Sequence, residues 1–345
     1  MTICLAMIVR DEAKVIERCL ESVYGLADSY VIVDTGSQDD TRERIQRGPL
    51  DGELHDRKWV NFGHNRTELM ELAYGKADWL LLLDADMTIR FDNGDHDHFT
   101  GLLSGDSYML RHAGEPQYWV KRLVRGDKRW RYIGVTHEYI EAVDGEQRPV
   151  KLDAVTVHHH YDGGHRPEKF ERDLDLLSLE HKRNPDDTRT TFYLANTLRD
   201  LGRTEEAVAM YWQRTKQGGW EEEVFYSTLE AGKLSNDLTT LLRAWGLRPT
   251  RAEPLYELAW RLRQRKWWAP AHLLAKAGSE LPVPSDTLFV HRWVYEWGCD
   301  FELSIAAVWA GDFEAAEQAS DRLLDCPTLP APYREQVIEN RRFLP

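Results

Sequence analysis

Along the first half of the chain, short continuous apolar runs alternate with stretches whose apolar positions recur every three to four residues. Residues 3–9 read as a strand, and residues 11–23 as an amphipathic helix with Val15, Ile16, Cys19, Leu20 and Val23 on one face. Tyr30-Val31-Ile32-Val33 is a second apolar strand, ending in Asp34. It is followed by Thr35-Gly36-Ser37-Gln38-Asp39-Asp40-Thr41, turn chemistry in which Asp40 or Thr41 can cap a helix. A strand near 53–59, a helix over 65–74 and a strand through Trp79-Leu80-Leu81-Leu82-Leu83 complete the rhythm. Runs that are apolar on both faces belong to parallel sheets covered on both sides, and strand–helix–strand units predict right-handed crossovers. The expectation for residues 1–165 is therefore an α/β domain with a mostly parallel sheet.

Beyond Asp86 the pattern changes. Residues 92–98 are acidic and polar, as in a surface loop, and 107–112, 117–124, 130–133 and 150–160 read as shorter strands, mixed or antiparallel. Asp162-Gly163-Gly164 breaks structure, and from Pro167 the periodicity is helical to the end. Residues 166–184 predict a linking helix, and 185–345 a set of helical repeats. Residues 190–201 and 204–211 form a helix–turn–helix around Gly202-Arg203 whose small and aromatic positions match a tetratricopeptide repeat. Looser pairs follow at 220–233 with 237–246, 253–265 with 267–278, and 301–310 with 313–324. Ala207 and Ala315 are 108 residues apart, three repeats of 36, near the ~34 of the ideal unit. The expected all-α second domain carries nine tryptophans, most of them expected to fill the space between helices. The cluster Arg261, Arg263, Arg265 and Lys266 reads as a solvated helix face, with an acceptor-binding patch as the other reading.

Composition narrows the function classes. The 345 residues carry 44 basic and 58 acidic side chains, a formal charge of -14, which disfavours non-specific binding to nucleic acid or to an anionic membrane. Cys4, Cys19, Cys299 and Cys326 have no paired spacing, as expected of a reduced, cytoplasmic protein. The apolar opening runs straight into Arg10-Asp11-Glu12 and reads as a first strand, not a signal peptide; no stretch reaches the ~20 apolar residues of a membrane span.

The leucine-rich strand ends in Asp84-Ala85-Asp86, a D-x-D pattern at the carboxyl end of a strand, where ligands of open α/β sheets bind. Period-2 alternation points the two acids the same way, toward one divalent cation or one nucleotide; a solvated turn explains the spacing equally well.

Three motifs in order, Met7-Ile8-Val9-Arg10-Asp11-Glu12, then Val31 to Thr41, then Leu82-Leu83-Asp84-Ala85-Asp86, resemble the family 2 glycosyltransferases. The resemblance covers roughly the first 165 residues. It implies the GT-A fold, which is Rossmann-like, and transfer of a sugar from a nucleotide diphosphate, usually with Mn²⁺ or Mg²⁺ and usually with inversion. It places Asp34 at the base or ribose of the nucleotide, Asp84 at ribose and metal, and Asp86 on the metal. The family often has a second acid or Asn after the strand-two Asp, where this chain has Thr35. Arg66 resembles a family position that reaches the nucleotide, and Arg10, after the first strand, is a second cationic candidate; a surface ion pair is the other reading of each. Trp130 to Glu138 resembles a His-Glu element of family 2 enzymes that carry helical repeats. Inverting transfer needs a base for the acceptor's proton, a role this assigns to Glu138, with His137 as its orienter or as an alternative base. In many GT-A enzymes a late histidine completes the metal shell. Alternation puts His158 and His160 on one face and His159 on the other, so His160 or His158 is the expected ligand, and imidazole suits Mn²⁺ better than Mg²⁺.

The sequence thus predicts a metal-dependent, inverting glycosyltransferase, with a UDP-sugar as the favoured donor and a protein or peptide acceptor held by the repeats, which could also mediate homo-oligomerisation. The alternatives are a repeat-based scaffold with a degenerate nucleotide-sugar fold, and a glycosyltransferase acting on nucleic acid.

Overall fold

The computed structural model describes residues 1–91, 101, 103–113, 118–163 and 169–345. The expected loop at 92–98, along with Gly164 and Pro167, lies outside them. The chain divides into two compact units, residues 1–180 and 181–345.

The first unit is built on an eight-stranded sheet of order β3-β2-β1-β4-β7-β6-β10-β5. Its strands are β1 (Ile3–Val9), β2 (Ser29–Asp34), β3 (Gly52–Asp56), β4 (Trp79–Leu82), β5 (Met87–Phe91), β6 (Ser107–His112), β7 (Tyr118–Arg125) and β10 (Val150–His159). The first four run parallel, as their apolar runs predict. Past β4 the sheet is mixed: β7 is antiparallel to β4 and β6, β10 is parallel to β6, and β5 is antiparallel to β10. Alternation along one strand feeds two cores. Trp79, Leu81 and Leu83 pack with Ile16, Cys19 and Leu20 of α1 (Ile16–Val23) and Ile45 of α2 (Thr41–Arg47). Leu80 and Leu82 pack with Leu69, Met70 and Ala73 of α3 (Phe62–Ala73) and with Trp130 and Ile140 of the separate hairpin β8 (Trp130–Ile133) and β9 (Tyr139–Ala142). The sheet is thereby covered on both faces, and the helix α1 begins later than its periodicity suggests. Asp11 adopts a left-handed backbone (φ 56°) while its carboxylate accepts from the Gln38 amide at 2.6 Å, so the chain loops before turning helical.

The second unit contains helices arranged in consecutive pairs: α5 (Thr188–Asp200) with α6 (Thr204–Gln217), α7 (Glu221–Ser235) with α8 (Leu238–Leu247), α9 (Glu253–Gln264) with α10 (Trp268–Ser279), and α11 (Cys299–Ala310) with α12 (Phe313–Asp325). They follow α4 (Lys169–Arg183), and α13 (Ala331–Asn340) comes after them. Each pair turns on one left-handed residue: Gly202, Asn236, Lys266 or Gly311. The pairing matches the expected repeats; the role given to tryptophan does not. Only Trp297 is buried, while Trp220, Trp260, Trp267 and Trp309 are exposed. Fully buried Ala195, Ala231, Ala259, Ala275 and Ala307 bring the helices too close together to admit indoles, which sit at the margins or stack on each other, as Trp268 does on Trp309 at 5.4 Å. The basic cluster is divided: Arg265 and Lys266 are exposed, as on a solvated face, and the other two are not. Arg261 is buried and bonded to Asn236 and Glu257, and Arg263 pairs with Glu302 at 2.5 Å. No helix among the described residues is long and apolar enough to cross a membrane.

Candidate functional site

The loops after β1 and β2 are tied together by short polar residues. The Asp11 amide donates to Ser37 Oγ at 2.9 Å, Glu12 N to Thr41 Oγ1 at 2.8 Å, and Ala13 N to Asp39 Oδ2 at 3.2 Å. Asp34 closes β2 almost fully buried, its Oδ1 accepting from the Gly36 and Ser37 amides at 2.7 and 2.8 Å. Gly36 supplies the positive φ (108°) that lets the turn wrap the carboxylate. Asp34 Oδ2 is buried with no hydrogen-bond partner, Arg42 standing 3.9 Å away. A buried acceptor left unpaired costs about 1–3 kcal/mol, so this oxygen is suited to a ligand hydroxyl or N–H. Arg10 stands at the end of β1 with Nε 3.8 Å from Asp11 Oδ2, 44% of its side chain exposed.

Asp84 and Asp86 diverge. β4 ends at Leu82, and Asp84 continues its even-numbered side toward α3, whereas Asp86 lies in the turn into β5. The expected common direction fails because the chain has left the extended conformation between them. Asp84 Oδ1 accepts from Arg66 Nη2 at 2.5 Å, and Oδ2 lies 3.8 Å from Arg122 Nη1 on β7. Burial disfavours its charge, but Arg66 and Arg122 outweigh burial and hold the carboxyl well below the usual carboxylate range. The thiol of Cys19 donates to the Asp84 carbonyl at 3.7 Å from beneath, and burial pushes that thiol far up.

Arg66 also faces Glu138: Nε lies 2.8 Å from Oε1, near enough for an ion pair but out of line for a hydrogen bond. The guanidinium sits 5.6 Å above the Tyr132 ring and is buried, so one cation holds the two acids named from sequence, at a point water barely reaches. His137 is exposed and left-handed (φ 51°), which redirects the chain so that Glu138 turns inward.

Of the three histidine rings, it is that of His159 which meets the Asp86 carboxylate, its Nε2 3.0 Å from Oδ2, while the His160 amide donates to the Asp86 carbonyl at 3.0 Å. His159 continues the side of β10 that holds Val155 and Val157, and its ring stacks on Tyr161 at 3.9 Å. His160 instead bonds Thr88 Oγ1 at 2.9 Å, and His158 lies opposite Thr88 in the β10–β5 register. Alternation was read correctly as a period, but nothing in the sequence showed which face of β10 continues toward Asp86.

A Cβ placed on Gly163 would fall 2.7 Å from the Asp86 Cβ and 3.0 Å from Glu12 Oε2, so glycine there lets the chain close over the Asp86 carboxylate. Among the described residues no three His, Cys, Asp or Glu side chains converge as a self-sufficient metal cage. One carboxylate and one imidazole at 3.0 Å do fit a divalent cation that takes its remaining ligands from phosphate and water. Sequence reasoning passed over Arg122 and His112, whose Nε2 accepts from Arg122 Nε at 3.3 Å; no local motif marks either, because both come from strands added to the sheet after the D-x-D.

Residues 4–93 match the family model described as glycosyl transferase family 2. The SPbeta prophage-derived glycosyltransferase SunS of Bacillus subtilis (strain 168) is 24% identical over 222 residues, 60% of this chain and 51% of that protein, as is the glycosyltransferase SunS of Bacillus phage SPbeta. The chain therefore spans about half the length of these curated relatives. A TPR repeat-containing protein of Synechococcus elongatus is 39% identical over 85 residues, 24% of this chain and 20% of its own. The crystal structure of YrrB, a TPR protein with an unusual peptide-binding site, covers 51% of this chain and 84% of its own at a TM-score of 0.38 and 15% identity, too distant a likeness to carry an argument.

Proposed function

We propose that this chain, which carries a family 2 glycosyltransferase domain at its N-terminus, transfers a sugar with inversion from a nucleotide diphosphate donor, UDP favoured, to a protein or peptide acceptor. The observation that carries the reading is the single buried Arg66 joining Asp84, at the end of the central strand, to Glu138, a carboxylate with 13% of its side chain exposed. It supports a site in which the donor's diphosphate and the acceptor's attacking atom are held on either side of one cationic centre.

In this reading the unpaired Asp34 Oδ2 accepts from the ribose or base, and the Gly36-Ser37 turn shapes the nucleotide end. Asp86 and His159 would hold a divalent cation, Mn²⁺ or Mg²⁺, which when bound would neutralise charge on the departing diphosphate. Arg66 and Arg122 add positive charge along the same edge, with Arg10 at its rim. Glu138 takes the acceptor's proton as the acceptor atom bonds to the anomeric carbon. The bond from that carbon to the diphosphate oxygen breaks with its electron pair leaving on the nucleotide, and the configuration inverts. His137 is the orienter of Glu138.

The experiment is a thermal-shift panel of nucleotide diphosphate sugars with and without Mn²⁺, followed by product detection on the donor that binds. Glu138→Gln is expected to retain the donor-induced shift and to lose turnover by 100-fold or more, on the order expected for a general base. A chain that responds to no nucleotide sugar, with or without metal, is a scaffold and not an enzyme.

A further inference from the structure

Residues 281–291, between α10 and the short π-helix Val294–Gly298, form neither helix nor strand, yet they are held firmly. The grip comes almost entirely from side chains of the repeats acting on the segment's main chain. Glu222 of α7 accepts from the Thr287 and Leu288 amides at 2.8 and 2.7 Å. Arg251 donates to the Leu288 and Phe289 carbonyls at 3.3 and 3.1 Å, and Glu253 accepts from the His291 amide at 3.1 Å. The Asp286 carboxylate is held bidentately by Arg248, at 2.5 and 2.6 Å, with Arg251 adding a third contact at 3.2 Å.

Two side chains supply the apolar part. Leu288 is buried among Phe192, Phe225, Tyr226 and Leu229, and the Phe289 ring lies 4.8 Å from that of Tyr226, stacked toward Phe192 at 6.2 Å. The contacted residues belong to α5, α7, the end of α8 and the start of α9, so the segment crosses three successive pairs. Carboxylates on amides, guanidinium groups on carbonyls, one clamped acid and one apolar pocket are the means by which a surface recognises the main chain of a peptide; a core-forming loop satisfies its own backbone in turns. On the receptor side, Arg251 lies over the Phe225 ring at 4.6 Å and is paired with Glu253 at 2.8 Å.

We propose that this face of the repeats is a peptide-binding site occupied by the chain's own residues 286–291, and that its partner is a segment of the same chemistry and the same bend, left-handed at the aromatic (φ 47° at Phe289): a carboxylate, a leucine-type side chain two residues later, and an aromatic next to it. The tethered segment acts as a competitor at an effective concentration on the order of millimolar, so a free peptide of ~10 μM intrinsic affinity is weakened about 100-fold. Partner binding thus requires the strap to leave, and the site stands whether or not the bound peptide also accepts the sugar.

The probe is a fluorescent peptide of the sequence spanning residues 284–292, Pro-Ser-Asp-Thr-Leu-Phe-Val-His-Arg. In the full chain carrying Asp286→Ala and Phe289→Ala, it is expected to bind about 100-fold more tightly than in the unaltered chain. Adding Arg248→Gln to that background, or replacing the probe's aspartate by alanine, should weaken binding at least tenfold. The unaltered chain gives an independent reading that needs no variant: millimolar probe should speed hydrogen exchange at the Thr287 and Leu288 amides. Unchanged exchange, or an opened and folded chain that ignores the probe, overturns the proposal. Self-association of the opened chain without probe binding assigns the face to a second copy and overturns it equally.

Discussion

Gly63 and Gly134 approach so closely that a Cβ on Gly63 would lie 2.1 Å from the Gly134 carbonyl oxygen. The contact seats the first turn of α3 on the turn after β8, and Phe62 N donates to the Val135 carbonyl at 3.1 Å beside it. Arg66 rides on that helix and Glu138 on that turn, so the glycine pair sets the distance between them. The obstructing atom is backbone and cannot rotate away. Gly63→Ala is expected to cost about 1–3 kcal/mol in chemical denaturation, as overpacking does, and to reduce transfer more than it reduces donor binding. A variant with unchanged stability and turnover would falsify this account of how the two residues are spaced.

Arg66 is buried between two carboxylates, and removing one partner of a buried ion pair strands the other charge. Arg66→Met should therefore destabilise the fold by about 3–5 kcal/mol. Adding Glu138→Gln removes one of the stranded charges, so the double variant should be more stable than Arg66→Met alone, by about 1 kcal/mol or more. Strictly additive losses across the four proteins would mean that Arg66 and Glu138 do not interact.

His112 is buried at the end of β6, and burial, reinforced by the charges of Arg122 and His159, pushes its pKa from 6.5 down to about 3. Between those values the unfolded chain binds a proton that the folded chain excludes, so stability rises with pH across this window and falls on acidification. The loss between pH 6 and pH 4.5 should be about 2 kcal/mol from this group. The carboxyl of Asp84, held low by the arginines, adds its own loss at lower pH, beginning as the pH falls through the ordinary carboxylate range and continuing below it. Urea titrations of His112→Gln across pH 4.5–6.5 should give a flatter profile; an unaltered slope would place the acid sensitivity elsewhere.

The parallel half of the sheet could be read directly because β1, β2 and β4 are buried on both faces and therefore apolar throughout, apart from Ser29 and Asp34 at the two ends of β2. The repeat pairs could be read because each needs an apolar stripe, and the left-handed turn residue leaves a mark where it is Gly202, Asn236 or Gly311, though not at Lys266. What escaped were relations between distant segments. Asp84 and Asp86 look equivalent as D-x-D, and only the ending of β4 at Leu82 sends one toward Arg66 and the other toward His159. Arg122 has no motif and reaches the site through an antiparallel strand pairing, 38 residues beyond Asp84 in sequence, that local patterning cannot specify. The strap at 281–291 lacks periodicity altogether, since its backbone is satisfied by side chains of other elements.

The arrangement of Asp86 and His159 separates two metal assignments that are indistinguishable from sequence. If the pair at 3.0 Å holds the cation, Mn²⁺ added with a nucleoside diphosphate should stabilise the protein by about 2.7 kcal/mol at ligand concentrations 100-fold above the dissociation constant. For a unit of this size that corresponds to a melting-point rise of roughly 5–11 °C, reversed by EDTA. Asp86→Ala and His159→Ala should each lose the Mn²⁺-dependent part and keep any part due to the nucleotide alone. His160→Ala, whose ring is bonded to Thr88, and His158→Ala should retain it. Retention in His159→Ala with loss in His160→Ala would restore the alternation-based assignment and show that the ring of His160 leaves Thr88 when the donor is bound.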